Sequence, residues 1–175
     1  AKRSLTLLWG AEHVPKKRHP FIVAADQDCS RTAGALNSPA MSKPKVVILR
    51  TAGTNCDEET AHAWDLVGAA PQRVHVRELM RKPAMLREFA ILTIPGGFSY
   101  GDDISAGKIL ANQLIYHLAE VIGEFVADGK LVLGICNGFQ VLVKAGLLPG
   151  SKEGLAAGRQ LVTLAQNDSA RFEDR

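Results

Sequence analysis

The stretch "KLVLGICNGFQVL", residues 130–142, passes from a continuous apolar run into a cysteine flanked by glycines and then into a mixed apolar pattern. Residues 130–135 carry no polar alternation, as expected of a strand buried on both faces. Gly134, Cys136 and Gly138 spell G-x-C-x-G, the form of a nucleophile elbow in which a strand turns sharply into a helix. Such a turn needs residues without a Cβ on either side of the nucleophile. The positive end of the following helix is expected to draw a thiol at its start below the ordinary value of about 8.5. A small core residue closing a strand fits the same letters, so the motif alone leaves both readings open.

Working outward, the rhythm of the neighbouring segments selects the fold. "KVVILR" (45–50) is a β-branched apolar strand, and "AGTNCDEE" after it supplies a turn and then Asp57, Glu58 and Glu59, acidic residues suited to a helix N-terminus. "TAHAWDLVGA" places Ala61, Trp64 and Val67 at helical spacing and stops at Gly68. "RVHV" (73–76) reads as a second strand, Pro83 opens a small helix reaching Phe89, and "AILTIP" (90–95) reads as a third strand. The longest helix is predicted over about 105–128. Its apolar stripe is Leu110, Leu114, Leu118, Val121, Ile122 and Phe125, with Ser105 as cap and Gly129 as stop. Strand and helix alternating in this way predict an α/β fold, a doubly wound, mostly parallel sheet with helices on both faces. Such sheets place chemistry beyond the carboxyl ends of their strands. Three loops project there: 52–57, 96–103 and 136–138.

Composition narrows the class further. The chain has 175 residues, 46% hydrophobic and 22% charged, enough for a core, and no apolar stretch approaches the roughly 18 residues of a membrane span. Its three cysteines, Cys29, Cys56 and Cys136, are scattered and include no C-x-x-C, which argues against a disulfide framework or thiolate zinc site and suits a reducing cytoplasm. The net charge of +3 is uneven: residues 1–44 hold seven Lys/Arg against three Asp/Glu, and the remainder fourteen against fifteen. The basic character belongs to the leader, and nucleic-acid binding by the whole chain has no support. Residues 1–42 show no sustained period. Their run "LTLLWGA" is too short for a secretory core, and their few acidic residues leave a transit-like reading open. The simpler expectation is a disordered or non-native leader, with Met41 as the natural start and the domain over 43–175.

The loop "PGGFSYGDD" (95–103) lacks the Lys-Ser/Thr of a P-loop and any G-x-G-x-x-G. Asp102 and Asp103 are two adjacent carboxylates without a histidine partner, which fits a solvated loop or helix cap better than a metal site; none is expected. Backbone N–H groups freed by Gly96 and Gly97 could instead face Cys136 and, with the N–H of Asn137, form an oxyanion hole. Cys56, beside three acidic residues, reads as structural.

"RTAGTNCDEE", "IPGGFSYGDDISAGKILANQL", "LGICNGFQVLVKAGLLPG" and "NDSARFEDR", in this order from about Lys43 to Arg175, resemble the class I glutamine amidotransferases that serve purine biosynthesis. The resemblance implies a flavodoxin-like sheet. It also implies attack by Cys136 on the glutamine side-chain amide, giving a glutamyl thioester and ammonia. Gly97 and Asn137 match the family's oxyanion donors, and Gly96, Phe98 and Gln140 its glutamine pocket. Ammonia would pass to a larger synthetase subunit, with a small accessory subunit, for the ATP-dependent conversion of formylglycinamide ribonucleotide to formylglycinamidine ribonucleotide. No cofactor is implied on this subunit; ATP and Mg are expected on the partner.

The family also uses a histidine well after the cysteine, oriented by a glutamate two residues on. Here His13, His19, His62, His75 and His117 all precede Cys136, and the pattern is expected to be C-terminally incomplete. Two other readings fit parts of the chain: a non-catalytic module of the synthetase complex, and a cysteine-elbow hydrolase or stress protein of the related superfamily.

Overall fold

In the computed structural model, the described residues are 21–23, 42–150, 160–165, 167–169 and 171. Five parallel strands form one sheet: β1 (Phe21–Val23), β2 (Lys45–Arg50), β3 (Ala70–His75), β4 (Ile91–Ile94) and β5 (Leu131–Gly134). Their spatial order is β1-β5-β4-β2-β3. The four strands from β2 onward thus follow the flavodoxin-like order, in which the chain reverses direction across the sheet between β2 and β4. Apart from Phe21–Val23, the leader expected over 1–42 lies almost wholly outside the described residues; those three pair with Val132, Leu133 and Gly134 at the β5 edge.

Helices cover both faces. On one, α1 (Asp57–Leu66) lays Ala61 and Trp64 over Val46, Ile48 and Ile91. The Trp64 indole N–H donates to Thr93 Oγ1 at 3.1 Å, so the one polar side chain in the core of β4 is satisfied by the helix above it. On the other face α3 (Lys108–Ala127) and α4 (Asn137–Lys144) pack on Val47, Leu49, Leu92, Ile94 and Val132. All six residues of the expected α3 stripe are buried, with Ala111 beside them.

Three local expectations are corrected. Val67 does not join the apolar face of α1; it is 73% exposed at the C-cap. Gly68 at φ 81° then closes the helix, its N–H bonding Asp65 O while Ala69 N–H bonds Trp64 O. The second strand begins at Ala70 and ends at His75, because Val76 already starts a short helix, α2 (Val76–Arg81). Its first turn is capped by His75, whose Nδ1 accepts the Arg77 N–H at 3.2 Å. The small helix expected after Pro83 is present as a 3₁₀ helix, Pro83–Glu88, with Phe89 as its C-cap.

The start of α3 is the third correction. Ser105 does not cap it; the N-cap is Gly107, in the left-handed region at φ 72° with no side-chain cap of its own. Asp102 Oδ1 accepts the Gly107 N–H at 3.0 Å instead. The carboxylate thus holds the backbone of the N-cap residue and ties the loop after β4 to the helix that follows.

Candidate active site

The turn from β5 into α4 is sterically specified by its two outer glycines. A Cβ on Gly134 would lie 2.6 Å from Leu142 Cδ1 and 2.8 Å from Gly138 O. One on Gly138 would lie 1.9 Å from Ile94 O and 2.6 Å from Ile94 C. Only a residue without a side chain lets the first turn of α4 sit this close to β4. Between the glycines, Cys136 takes φ 51° and ψ −110° as the N-cap of α4. This is a costly conformation for a residue with a Cβ, and strain of this kind collects at functional sites. Cys136 is exposed. The elbow expected from G-x-C-x-G is the observed one, with the strain carried by the cysteine itself.

Gly96 leaves β4 directly opposite: a methyl placed on it would touch Cys136 Cβ at 3.5 Å. Gly97 has φ 135°, and a Cβ there would meet Gly53 O at 2.7 Å and Asn55 N at 2.9 Å. The close approach arises because residues 96–100 are laced to the loop after β2. Phe98 N–H bonds Gly53 O at 2.8 Å, Tyr100 N–H bonds Ala52 O at 2.8 Å, and Thr54 bridges Gly97. Among the described residues, no hydrogen bond from the backbone N–H of Gly97 or Asn137 is seen. Phe98 is 63% exposed beside them.

A side-chain network, not foreseen from the sequence, locks the two loops together. Asn137 is buried, and its Oδ1 accepts the Ser99 N–H at 3.1 Å. Its Nδ2 donates to Asp102 Oδ1 and to Gln140 Oε1, both at 3.1 Å. One amide thus joins the elbow, the glycine loop and the carboxylate that holds the start of α3. Tyr100, Gly101 and Asp102 all have positive φ, and Tyr100 Oη donates to Gln113 Oε1 at 2.9 Å. The partners of Asn137 lie up to 38 residues away, beyond the reach of any local pattern.

Cys56 starts α1 at the next loop and donates its thiol to Asn55 Oδ1 at 3.3 Å. Burial, reinforced by the negative charges of Glu59, Cys136 and Asp57, pushes its thiol above the ordinary range. The neighbouring Asp57 is buried and pairs with Arg50 and Arg73, each at 3.4 Å, which fixes the start of α1.

The described histidines stand elsewhere. His62 and His117 are exposed on α1 and α3. His75 reaches the carboxyl edge of the sheet but ends β3, three strand spacings or about 14 Å from β5, and its Nδ1 is engaged in capping α2.

With an exposed cysteine at a strained elbow facing a glycine loop, residues 43–175 match the CobB/CobQ-like glutamine amidotransferase domain. The chain belongs to this glutamine amidotransferase family. The amidotransferase chain is 53% identical over 136 residues to the phosphoribosylformylglycinamidine synthase subunit PurQ of Dehalococcoides mccartyi, covering 77% of this chain and 51% of that one. It is 46% identical over 141 residues to the subunit of the same name from Treponema denticola, covering 76% and 52%. Among solved structures, the PurLQS assembly of Thermotoga maritima contains a chain similar at TM-score 0.56 and 33% identity, over 73% of this chain and 50% of that chain. The amidotransferase chain spans about half the length of the curated relatives it matches.

Proposed function

We propose that this chain supplies the nucleophile and oxyanion-binding parts of a glutaminase that delivers ammonia for purine biosynthesis. The observation that carries the reading is the exposed Cys136 at φ 51°, across Gly96 from the glycine loop at the carboxyl end of the sheet. The relatives' names support the pathway: two of them are subunits of phosphoribosylformylglycinamidine synthase.

The Cys136 thiolate attacks the side-chain amide carbon of glutamine, and the carbonyl oxygen becomes an oxyanion. The Gly97 and Asn137 N–H groups stabilise that charge, a contribution of about 3–4 kcal/mol for a single well-aimed donor. Gly96, Phe98 and Gln140 line the pocket for the amino-acid portion. Collapse of the adduct breaks the C–N bond and leaves a glutamyl thioester; the departing nitrogen must gain a proton to leave as ammonia. Water then hydrolyses the thioester to glutamate.

On this reading ammonia passes to a larger synthetase subunit, assisted by a small accessory subunit, where ATP and Mg drive the conversion of formylglycinamide ribonucleotide to formylglycinamidine ribonucleotide. The compartment is the cytoplasm. Among the described residues no helix is long and apolar enough to cross a membrane.

The second reading, a non-catalytic module of the same complex, draws on the position of the three described histidines, none of which reaches the elbow. An electrophilic chloroketone analogue of glutamine separates the two. We expect stoichiometric alkylation of Cys136, faster than that of Cys56, with slow steady-state ammonia release by the isolated chain. Equal rates at the two cysteines would favour the binding module.

A further inference from the structure

Cys56 and Cys136 each sit at the N-cap of a helix, and the two helix starts flank the end of β4. Between them lies Gly96. The position a methyl group would take on Gly96 is 3.4 Å from Cys56 Sγ, 3.7 Å from Cys56 Cβ and 3.5 Å from Cys136 Cβ. The two β-carbons share this one neighbour, so they lie no more than about 7 Å apart. A disulfide needs about 3.5–4.5 Å between β-carbons, so closure requires at most a few ångströms of movement. Gly96, at the floor of the gap, contributes no side chain to it.

We propose that Cys56 and Cys136 form a reversible disulfide across Gly96, made by peroxide-class oxidants and removed by small thiols. Cys136, the exposed partner, is the attacking sulfur. Its thiolate displaces hydroxide from hydrogen peroxide and becomes a sulfenic acid; the sulfur is oxidised and the peroxide oxygens are reduced. The Cys56 thiolate then attacks the Cys136 sulfur, and the sulfenic oxygen leaves as water once protonated. In sum two thiols and one hydrogen peroxide give one disulfide and two waters.

The division of roles follows from the surroundings of each sulfur. Burial and the charges of Glu59, Cys136 and Asp57 keep Cys56 protonated beyond the ordinary thiol range, so it is the slower nucleophile and acts as the resolving thiol. Asp57, held by Arg50 and Arg73, anchors the Cys56 backbone at the helix start. The elbow anchors Cys136. Closure then falls on the side chains and the glycine-containing loop, not on the helices.

The consequence, which rests on the glutaminase reading above, is that oxidation takes the nucleophile out of service and protects its sulfur from over-oxidation to sulfinic acid. The test is peroxide treatment of the 175-residue chain, followed by non-reducing digestion and peptide mapping. The expected product is a peptide pair joining Cys56 to Cys136, two hydrogens lighter than its reduced parts. Reaction with the glutamine chloroketone should be lost on oxidation and regained with dithiothreitol.

Gly96→Ala should slow the crosslink, because its methyl would lie 3.4 Å from Cys56 Sγ and 3.5 Å from Cys136 Cβ, in the space the two side chains must cross. Cys56→Ser should leave Cys136 to proceed to sulfinic acid. Sulfinic acid at Cys136 with a free Cys56 in the native chain, linkage of Cys136 to Cys29, or a crosslink in Gly96→Ala as fast as in the native chain would each overturn the inference. A crosslink in a chain whose reduced form ignores the chloroketone would uphold the bond and remove the glutaminase reading instead.

Discussion

Gly138→Ala puts the elbow under a defined load. The added Cβ would fall 1.9 Å from Ile94 O, 2.6 Å from Ile94 C and 3.0 Å from Pro95 O, and all three are backbone atoms that cannot swing aside. Restoring even a 3.0 Å contact to Ile94 O requires the first turn of α4 to retreat by at least about 1.1 Å. Overpacking of this kind costs about 1–3 kcal/mol, which lowers Tm by roughly 4–12 °C for a domain of this size. The effect on reactivity is larger. The retreat carries Cys136 and the Asn137 N–H away from the glycine loop, and a misplacement of ~1 Å is enough to slow a positioned reaction by about 100-fold.

The assay is the rate of Cys136 alkylation by the glutamine chloroketone, read by intact mass beside a thermal melt. Gly134→Ala should be milder, since its nearest contact is the movable end of Leu142, although Gly138 O at 2.8 Å still resists. Gly96→Ala should be mildest in stability, with contacts of 3.4–3.7 Å. Native alkylation in a folded Gly138→Ala, or a stability order that places Gly96→Ala below Gly138→Ala, would refute the packing argument.

Three further outcomes are expected. Gly123→Ala, in the middle of α3 with nothing within 4 Å of the new methyl, should stabilise the chain by about 0.5–1 kcal/mol; a melt showing destabilisation would contradict the assigned helix. Trp64→Phe removes the donor to the fully buried Thr93 hydroxyl, and denaturant unfolding should show a loss of about 1–3 kcal/mol. The raised Cys56 thiol binds its proton more tightly in the folded chain than in the unfolded one. Its contribution to stability is therefore present below the ordinary value of about 8.5 and falls as pH rises toward the folded value. Cys56→Ser should flatten that alkaline decline in Tm; an unchanged decline would assign it to other groups.

Much of this architecture was legible because the deciding segments are unambiguous. "KVVILR" is observed as β2 over the same six residues, and the runs around 91–94 and 131–134 became β4 and β5. Continuous apolar strands between turn residues have few alternative structures. The first half of β3 was harder: Ala70, Pro71 and Gln72 carry no strand signal, and Pro71 is tolerated because β3 is an edge strand bonded only to β2. Helix α2 was missed because Val76 reads equally as the end of a strand, and its cap is a histidine.

The site divides in the same way. The elbow could be read from two glycines and a cysteine because sterics act between neighbours in sequence. The Asn137 network could not, since its value lies in where Ser99 and Asp102 arrive after the sheet has formed. The shared contact of Cys56 and Cys136 with Gly96 depends likewise on β4 lying between β2 and β5. Topology, and not local pattern, brings those two residues to one glycine.

The central claim is that Cys136 stands in a pocket built for glutamine. Its most direct test is the rate at which iodoacetamide alkylates Cys136, resolved by peptide mapping, in the presence of L-glutamine, D-glutamine or L-glutamate. The account predicts that L-glutamine alone slows the reaction in a saturable way while alkylation of Cys56 changes little. Identical Cys136 rates with and without L-glutamine would contradict it.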